Sequence, residues 1–131
     1  MSRIEFEEEN YSISIVDDYI LDIKINDFME IQKEDLISMQ RWVRENTSES
    51  NLINFVQFGN GSTATREARE YAASPEGNAI TIGSAILVKN LAQQLIIDYY
   101  LKFNNPLQPT KVFYKKANAE KWMKSLLESV Q

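Results

Sequence analysis

Polar and apolar residues alternate from Tyr11 to Ile25 with a single interruption. Tyr11-Ser12-Ile13-Ser14-Ile15-Val16 and Tyr19-Ile20-Leu21-Asp22-Ile23-Lys24-Ile25 both repeat with a period near two, as half-buried strands do. Asp17-Asp18 between them is a turn signal, because short acidic side chains bond to their own backbone and tolerate turn geometry. The pattern predicts an antiparallel hairpin over 11–25. Ile13 and Ile15 should share its buried face with Leu21, Ile23 and Ile25. Glu7-Glu8-Glu9-Asn10, just before it, reads as a charged lead-in.

Beyond Asn26-Asp27 the period changes. Leu36, Met39, Gln40 and Val43 recur at helical spacing, with Ile37 and Trp42 beside them, which predicts a helix from about Lys33 to Asn46. A polar loop, Asn46 to Asn51, follows. Leu52-Ile53-Asn54-Phe55-Val56-Gln57-Phe58 is nearly continuous in apolar character, as expected of a central strand covered on both faces. Next come a Gly-rich loop, Gly59 to Thr65, and a short helix, Arg66 to Ala73, capped by Thr63 or Thr65.

The stretch from Ala79 to Phe113 organises the rest. Ala79 to Val88 reads as a strand. Asn90 can cap an apolar helix that runs to about Phe103. Pro106 to Pro109 turns the chain into Thr110-Lys111-Val112-Phe113, a further strand. That is a βαβ unit, a parallel pair joined by its crossover helix. Ala92, Leu95, Ile96, Tyr99 and Phe103 form one apolar stripe, widened by Leu91, Ile97, Tyr100 and Leu101, so the helix is expected to be wedged against the sheet or covered by a partner. Were Tyr100 and Leu101 to face away, they would leave an apolar patch suited to self-association. Asn118 can cap a last helix, Ala119 to about Ser129, with Trp122, Met123, Leu126 and Val130 on its inner side. The order is ββαβαβαβα. It implies an α/β fold: one layer of mixed, mainly parallel sheet with helices packed on it and the hairpin at one edge.

Several segments together resemble the STAS fold of bacterial anti-sigma factor antagonists, and above all small uncharacterised SpoIIAA-like proteins of bacteria. They are Thr65-Arg66-Glu67-Ala68-Arg69-Glu70-Tyr71, Ala85-Ile86-Leu87-Val88, Phe103-Asn104-Asn105-Pro106 and Pro109-Thr110-Lys111-Val112-Phe113. The resemblance spans nearly the whole chain and implies one SpoIIAA-like domain over residues 1–131. It also implies a non-enzymatic regulatory or protein-interaction module. In the antagonists an Asp ends the central strand and an Asp-Ser pair opens the next helix, its hydroxyl being phosphorylated. Gln57 and Thr65-Arg66 stand near those positions here, so the phospho-switch does not carry over; Ser62, Thr63 and Thr65 are the hydroxyls nearby. SpoIIAA-like proteins are similar in fold to CRAL-TRIO lipid-binding domains, which implies a second function: binding an apolar, lipid-like ligand beneath the Ala92 to Phe103 helix.

Composition narrows the chemistry. The 131 residues suit one domain. They contain no cysteine and no histidine. Disulfides and thiolate metal sites are thereby excluded, and the commonest general base and metal ligand are missing. The net charge of −5 argues against nucleic acid. Lys111, Lys115, Lys116, Lys121 and Lys124 are the densest basic group, and Glu120 and Glu128 among them favour a solvated face. The N-terminus is acidic where a signal peptide is basic. No apolar run approaches the roughly 18 residues of a membrane span. A cytoplasmic protein without cofactor is expected.

Gly59, Asn60, Gly61, Ser62, Thr63, Thr65 and Arg66 are the candidate binding residues. The loop follows a central strand, where α/β folds place function. It could hold an anion on backbone N–H groups or form a contact surface for a protein partner. It lacks the Walker lysine and the dinucleotide-binding glycine spacing. Asp98 interrupts the apolar helix, and its spacing to Lys102 favours an i,i+4 ion pair over a buried acid. Asp17-Asp18 could hold a hard cation, but the turn accounts for it.

Overall fold

Asp17 and Asp18 both adopt the left-handed backbone conformation, with φ of 52° and 65°, and so close the hairpin of β2 (Tyr11–Val16) and β3 (Ile20–Ile25). The structure, a computed structural model, describes residues 4 to 130. Met1-Ser2-Arg3, at the head of the acidic N-terminus, and Gln131 lie outside the described residues. Ile13 pairs with Ile23 and Ile15 with Leu21. Ile13, Leu21, Ile23 and Ile25 are buried, and the partly buried Ile15 packs against them, as the alternation requires.

The lead-in is more than a charged tail. Ile4–Glu7 forms an edge strand, β1, antiparallel to β2. α1 spans Lys33–Asn46, β5 Leu52–Phe58, α2 Arg66–Ala73, β7 Thr81–Leu87, α3 Leu91–Asn104, β8 Thr110–Phe113 and α4 Lys116–Ser129. Two two-residue strands, β4 (Glu30–Ile31) and β6 (Thr63–Ala64), pair parallel to each other outside the main sheet. The main sheet runs β1-β2-β3-β5-β7-β8, parallel from β3 onward.

That order has no reversal. The crossovers through α1, α2 and α3 each advance one strand in the same direction. Parallel crossovers share one hand, so the three helices collect on one face of the sheet. Met39 and Val43 of α1 and Ala68 of α2 meet the hairpin isoleucines there, and Ile97 of α3 meets Ile86 and Val88. α4 covers the opposite face at β7 and β8, where Ala119 and Met123 pack with Ile53, Phe55, Ala85 and Phe113. β5 is therefore covered on both sides, as its apolar run predicts.

Two expectations need correction. α4 begins at Lys116, not Ala119: the Asn118 backbone N–H already donates to the Lys115 carbonyl, 3.1 Å away, so Asn118 lies inside the first turn. α3 is also rotated from the predicted phase. Leu91, Leu95, Tyr99 and Phe103 are exposed, while Gln93 and Ile97 are buried and Leu101 packs inward with Ile97. Gln93 fixes that rotation. Its Oε1 accepts from the Lys89 N–H at 2.7 Å and its Nε2 donates to the Gly59 carbonyl at 3.1 Å, so this polar side chain is satisfied inside.

Tyr11 is fully buried, and its hydroxyl has no hydrogen-bond partner among the described residues. Burial first, then the charges of Glu8 and Asp35, push its pKa up to about 12. The phenol of Tyr100 is likewise pushed up to about 12 by burial. Both side chains are favoured neutral in the fold. Their contribution is complete below the ordinary tyrosine value of about 10 and is lost as pH rises from there toward about 12. Tyr11→Phe removes an unsatisfied buried hydroxyl. It is expected to raise stability at neutral pH by about 1 kcal/mol and to flatten the alkaline decline. Denaturant midpoints followed across alkaline pH check both effects.

Candidate functional site

The Gly59 to Arg66 segment is held from within. The Gly59 N–H donates to the Ile25 carbonyl at 2.9 Å, and a Cβ at Gly59 would stand 2.6 Å from that oxygen. The Asn60 N–H donates to Asp27 Oδ1 at 2.8 Å. Gly61 has φ of 65° and lies under the Phe28 ring. Ser62 is buried, with its hydroxyl on the Gly59 carbonyl at 2.9 Å. The N–H groups of Thr63 and Thr65 donate to Met29 and Ile31 across the β4–β6 ladder. Thr65, rather than Thr63, caps α2 by accepting from the Ala68 N–H at 3.1 Å. Arg66 is exposed and pairs with Glu70 at 2.8 Å. The N–H groups of Gly59, Asn60, Ser62, Thr63, Thr65 and Ala68 are thus engaged, that of Asn60 by the Asp27 carboxylate. Asn60, Gly61, Thr63 and Arg66 remain as exposed surface.

Beside this loop Phe28 is 80% exposed and sits at φ 60°. A bulky residue in that conformation is under backbone strain. Asp98 is exposed too, and Lys102 directs its ammonium over the Phe103 ring instead of onto Asp98. Among the described residues no cluster of acidic side chains could hold a metal ion.

A larger feature lies between the helices and the sheet. A cavity of about 410 Å³ is bounded by α1, α2 and α3 above and by β2, β3, β5 and β7 below. Its walls are mainly aliphatic, with Ile23, Met39, Val43, Val56, Ile86 and Ile97 among them. The central strands place polar side chains in its floor. Asn54 of β5 donates through Nδ2 to the Ser84 hydroxyl of β7 at 3.1 Å. Thr81 is only 6% exposed, and its hydroxyl, on the same wall, has no partner among the described residues. Tyr100 of α3 and Arg69 of α2 also line the space.

Sequence reasoning did not single out as site residues these five positions on the sheet and helices: Asn54, Thr81, Ser84, Arg69 and Tyr100. One signal was present. Asn54 and Ser84 break apolar runs at positions that alternation assigns to a helix-covered face. A polar residue there is costly unless something meets it.

The layer order and the loop geometry define the class. A solved crystal structure with a SpoIIAA-like fold, of an uncharacterised DUF3478-family protein from Shewanella loihica PV-4, matches over 92% of this chain and 91% of its own. The TM-score is 0.56 at 13% sequence identity, so the likeness is one of fold. The chain has this SpoIIAA-like architecture. It belongs to the DUF7793 family, a domain of unknown function whose pattern matches residues 13–127. None of the curated proteins matches it. Among the described residues no helix is long and apolar enough to cross a membrane.

Proposed function

We propose that this protein is a non-enzymatic binding module that holds a small apolar, lipid-like molecule between its helical layer and its sheet. The cavity carries the reading. Left empty, the space is partly open to solvent and wets its apolar lining, which costs free energy in proportion to the apolar area exposed. A ligand filling it removes that cost. The volume is within the range of small-molecule sites, and a few polar groups among apolar walls is their usual composition. The floor of Asn54, Ser84 and Thr81 supplies those groups.

The test is direct. Protein purified from its native host and denatured for mass spectrometry is expected to release a stoichiometric small molecule. Delipidated protein is expected to gain on the order of 10 °C in Tm with a saturating apolar ligand. No released mass and no shift with any of a lipid series would end the reading.

A second reading, a regulatory module that contacts a protein partner, is favoured by Phe28 beside the Gly59 to Arg66 loop. A large apolar side chain held exposed in a strained conformation is readily explained by a partner that covers it. Phe28→Gly relieves the strain, since glycine accepts positive φ freely. It is expected to leave stability equal or about 1 kcal/mol higher while weakening partner capture. Asn60→Lys with Arg66→Glu changes the same surface at exposed positions. Partner capture unchanged in both variants would remove this surface from consideration.

A further inference from the structure

Arg69 and Arg66 are one turn apart on α2, yet they are treated differently. Arg66 is exposed and paired with Glu70. Arg69 is half-buried, and its Nη1 donates to the Ala64 carbonyl at 2.7 Å. No carboxylate pairs with it among the described residues. A guanidinium presents five N–H donors in a planar fork, so most of this one is unspoken for. Arg69 lines the cavity, and it also lines an outer cleft between α2 and α3 that includes the mutually paired Arg66 and Glu70 with Ser74, Tyr99, Phe103 and Asn104. It therefore stands between the interior and the surface.

We propose that Arg69 is the headgroup site for an apolar monocarboxylate, with the carboxylate on the guanidinium at the α2–α3 seam and the hydrocarbon body in the cavity. The inference rests on the ligand-binding reading above and names the ligand's chemical class. A cation partly withdrawn from water gains from an anionic partner, and a carboxylate matches the fork with two parallel hydrogen bonds. One unpaired cation neutralises one negative charge, which selects a carboxylate over a phosphate dianion in a chain of net charge −5. The unpartnered Thr81 hydroxyl on the same cavity wall offers a hydrogen bond to a polar substituent along the body.

Dodecanoate and dodecanol share a chain and differ in headgroup, so calorimetric titration of both into delipidated protein at neutral pH tests the assignment. Dodecanoate is expected to bind the wild type about tenfold tighter or more, a difference of about 1.4 kcal/mol. Arg69→Gln is expected to remove that preference, bringing the two affinities together, and Arg69→Lys to retain part of it. Equal affinities in the wild type, or a preference that survives in Arg69→Gln, overturn the headgroup site and leave the cavity reading standing. Binding of neither compound overturns both. The wild-type comparison decides even if the variants fold poorly.

Discussion

Asn54→Leu and Ser84→Leu together are expected to make the ligand-free protein more stable and the binding at least a hundredfold weaker, a loss of about 2.7 kcal/mol. Among the described residues the two side chains hydrogen-bond only to each other in the cavity floor, at 3.1 Å. Replacing both partners leaves neither orphaned, so the loss is about 1 kcal/mol. The leucines place several methyl and methylene groups in empty apolar space, each worth about 0.8 kcal/mol. The net is a gain of about 2 kcal/mol in folding free energy. Denaturant unfolding of delipidated protein reads the first effect and titration with an apolar ligand the second. A variant that is stabilised yet binds like the wild type would show that the ligand sits elsewhere.

Gly77→Ala is expected to cost about 3 kcal/mol, at the upper end of what overpacking causes. Gly77 lies in the turn that folds back beneath the end of α2. Its N–H donates to the Ser74 hydroxyl at 3.1 Å, and the next residue, Asn78, bonds the carbonyls of Ala72 and Ser74. A Cβ at Gly77 would fall well inside contact distance of the Tyr71 carbonyl oxygen and 3.3 Å from the Ala72 Cα. Both obstacles are backbone, so no rotamer change relieves them. Gly83→Ala is the informative control. Its Cβ would press first on the methyl tip of Leu126, which can turn aside, although the Pro109 carbonyl stands 2.9 Å away. It should therefore cost clearly less. Urea midpoints of the two variants, at unchanged denaturant slope, give the comparison. Equal costs would show that the turn beneath α2 yields more easily than its hydrogen bonds suggest.

The hairpin and the helix boundaries of α1 were legible because one face of each element is apolar and the other is not, and the βαβ unit because its apolar runs are punctuated by Asn90 and by Pro106 to Pro109. β1 escaped because the run Glu7-Glu8-Glu9 hides the short alternation of Ile4-Glu5-Phe6-Glu7. β4 and β6 have two residues each and carry no period at all. The phase of α3 was unreadable for a different reason. Leu91, Leu95, Ile96, Ile97, Tyr99, Tyr100, Leu101 and Phe103 surround the helix, so hydrophobicity selects no side. The deciding residue, Gln93, is polar and goes inside because two backbone groups meet it. The loop from Gly59 to Thr65 was recognisable as a loop, but several of its donors are consumed by residues far away in sequence, such as Asp27 and Ile25. The cavity depends on how three helices sit over one sheet, which no local pattern encodes. Asn54 and Ser84 hinted at it locally, and the family resemblance pointed to a ligand beneath the Ala92 to Phe103 helix.

The unreversed strand order also bears on how the chain is made. Each new strand from β3 onward adds to the edge its predecessor has just formed, so assembly can follow synthesis from the N-terminus, at roughly 5–20 residues per second. The hairpin needs only a three-residue connection between Val16 and Ile20 and can form first. β5 and β7 then lay down the floor, with α1 and α2 over it. α3 is the last of the three helices to be synthesised, so until it docks the space beneath stays open on one side. A molecule destined for that space can be enclosed while the protein is still being born.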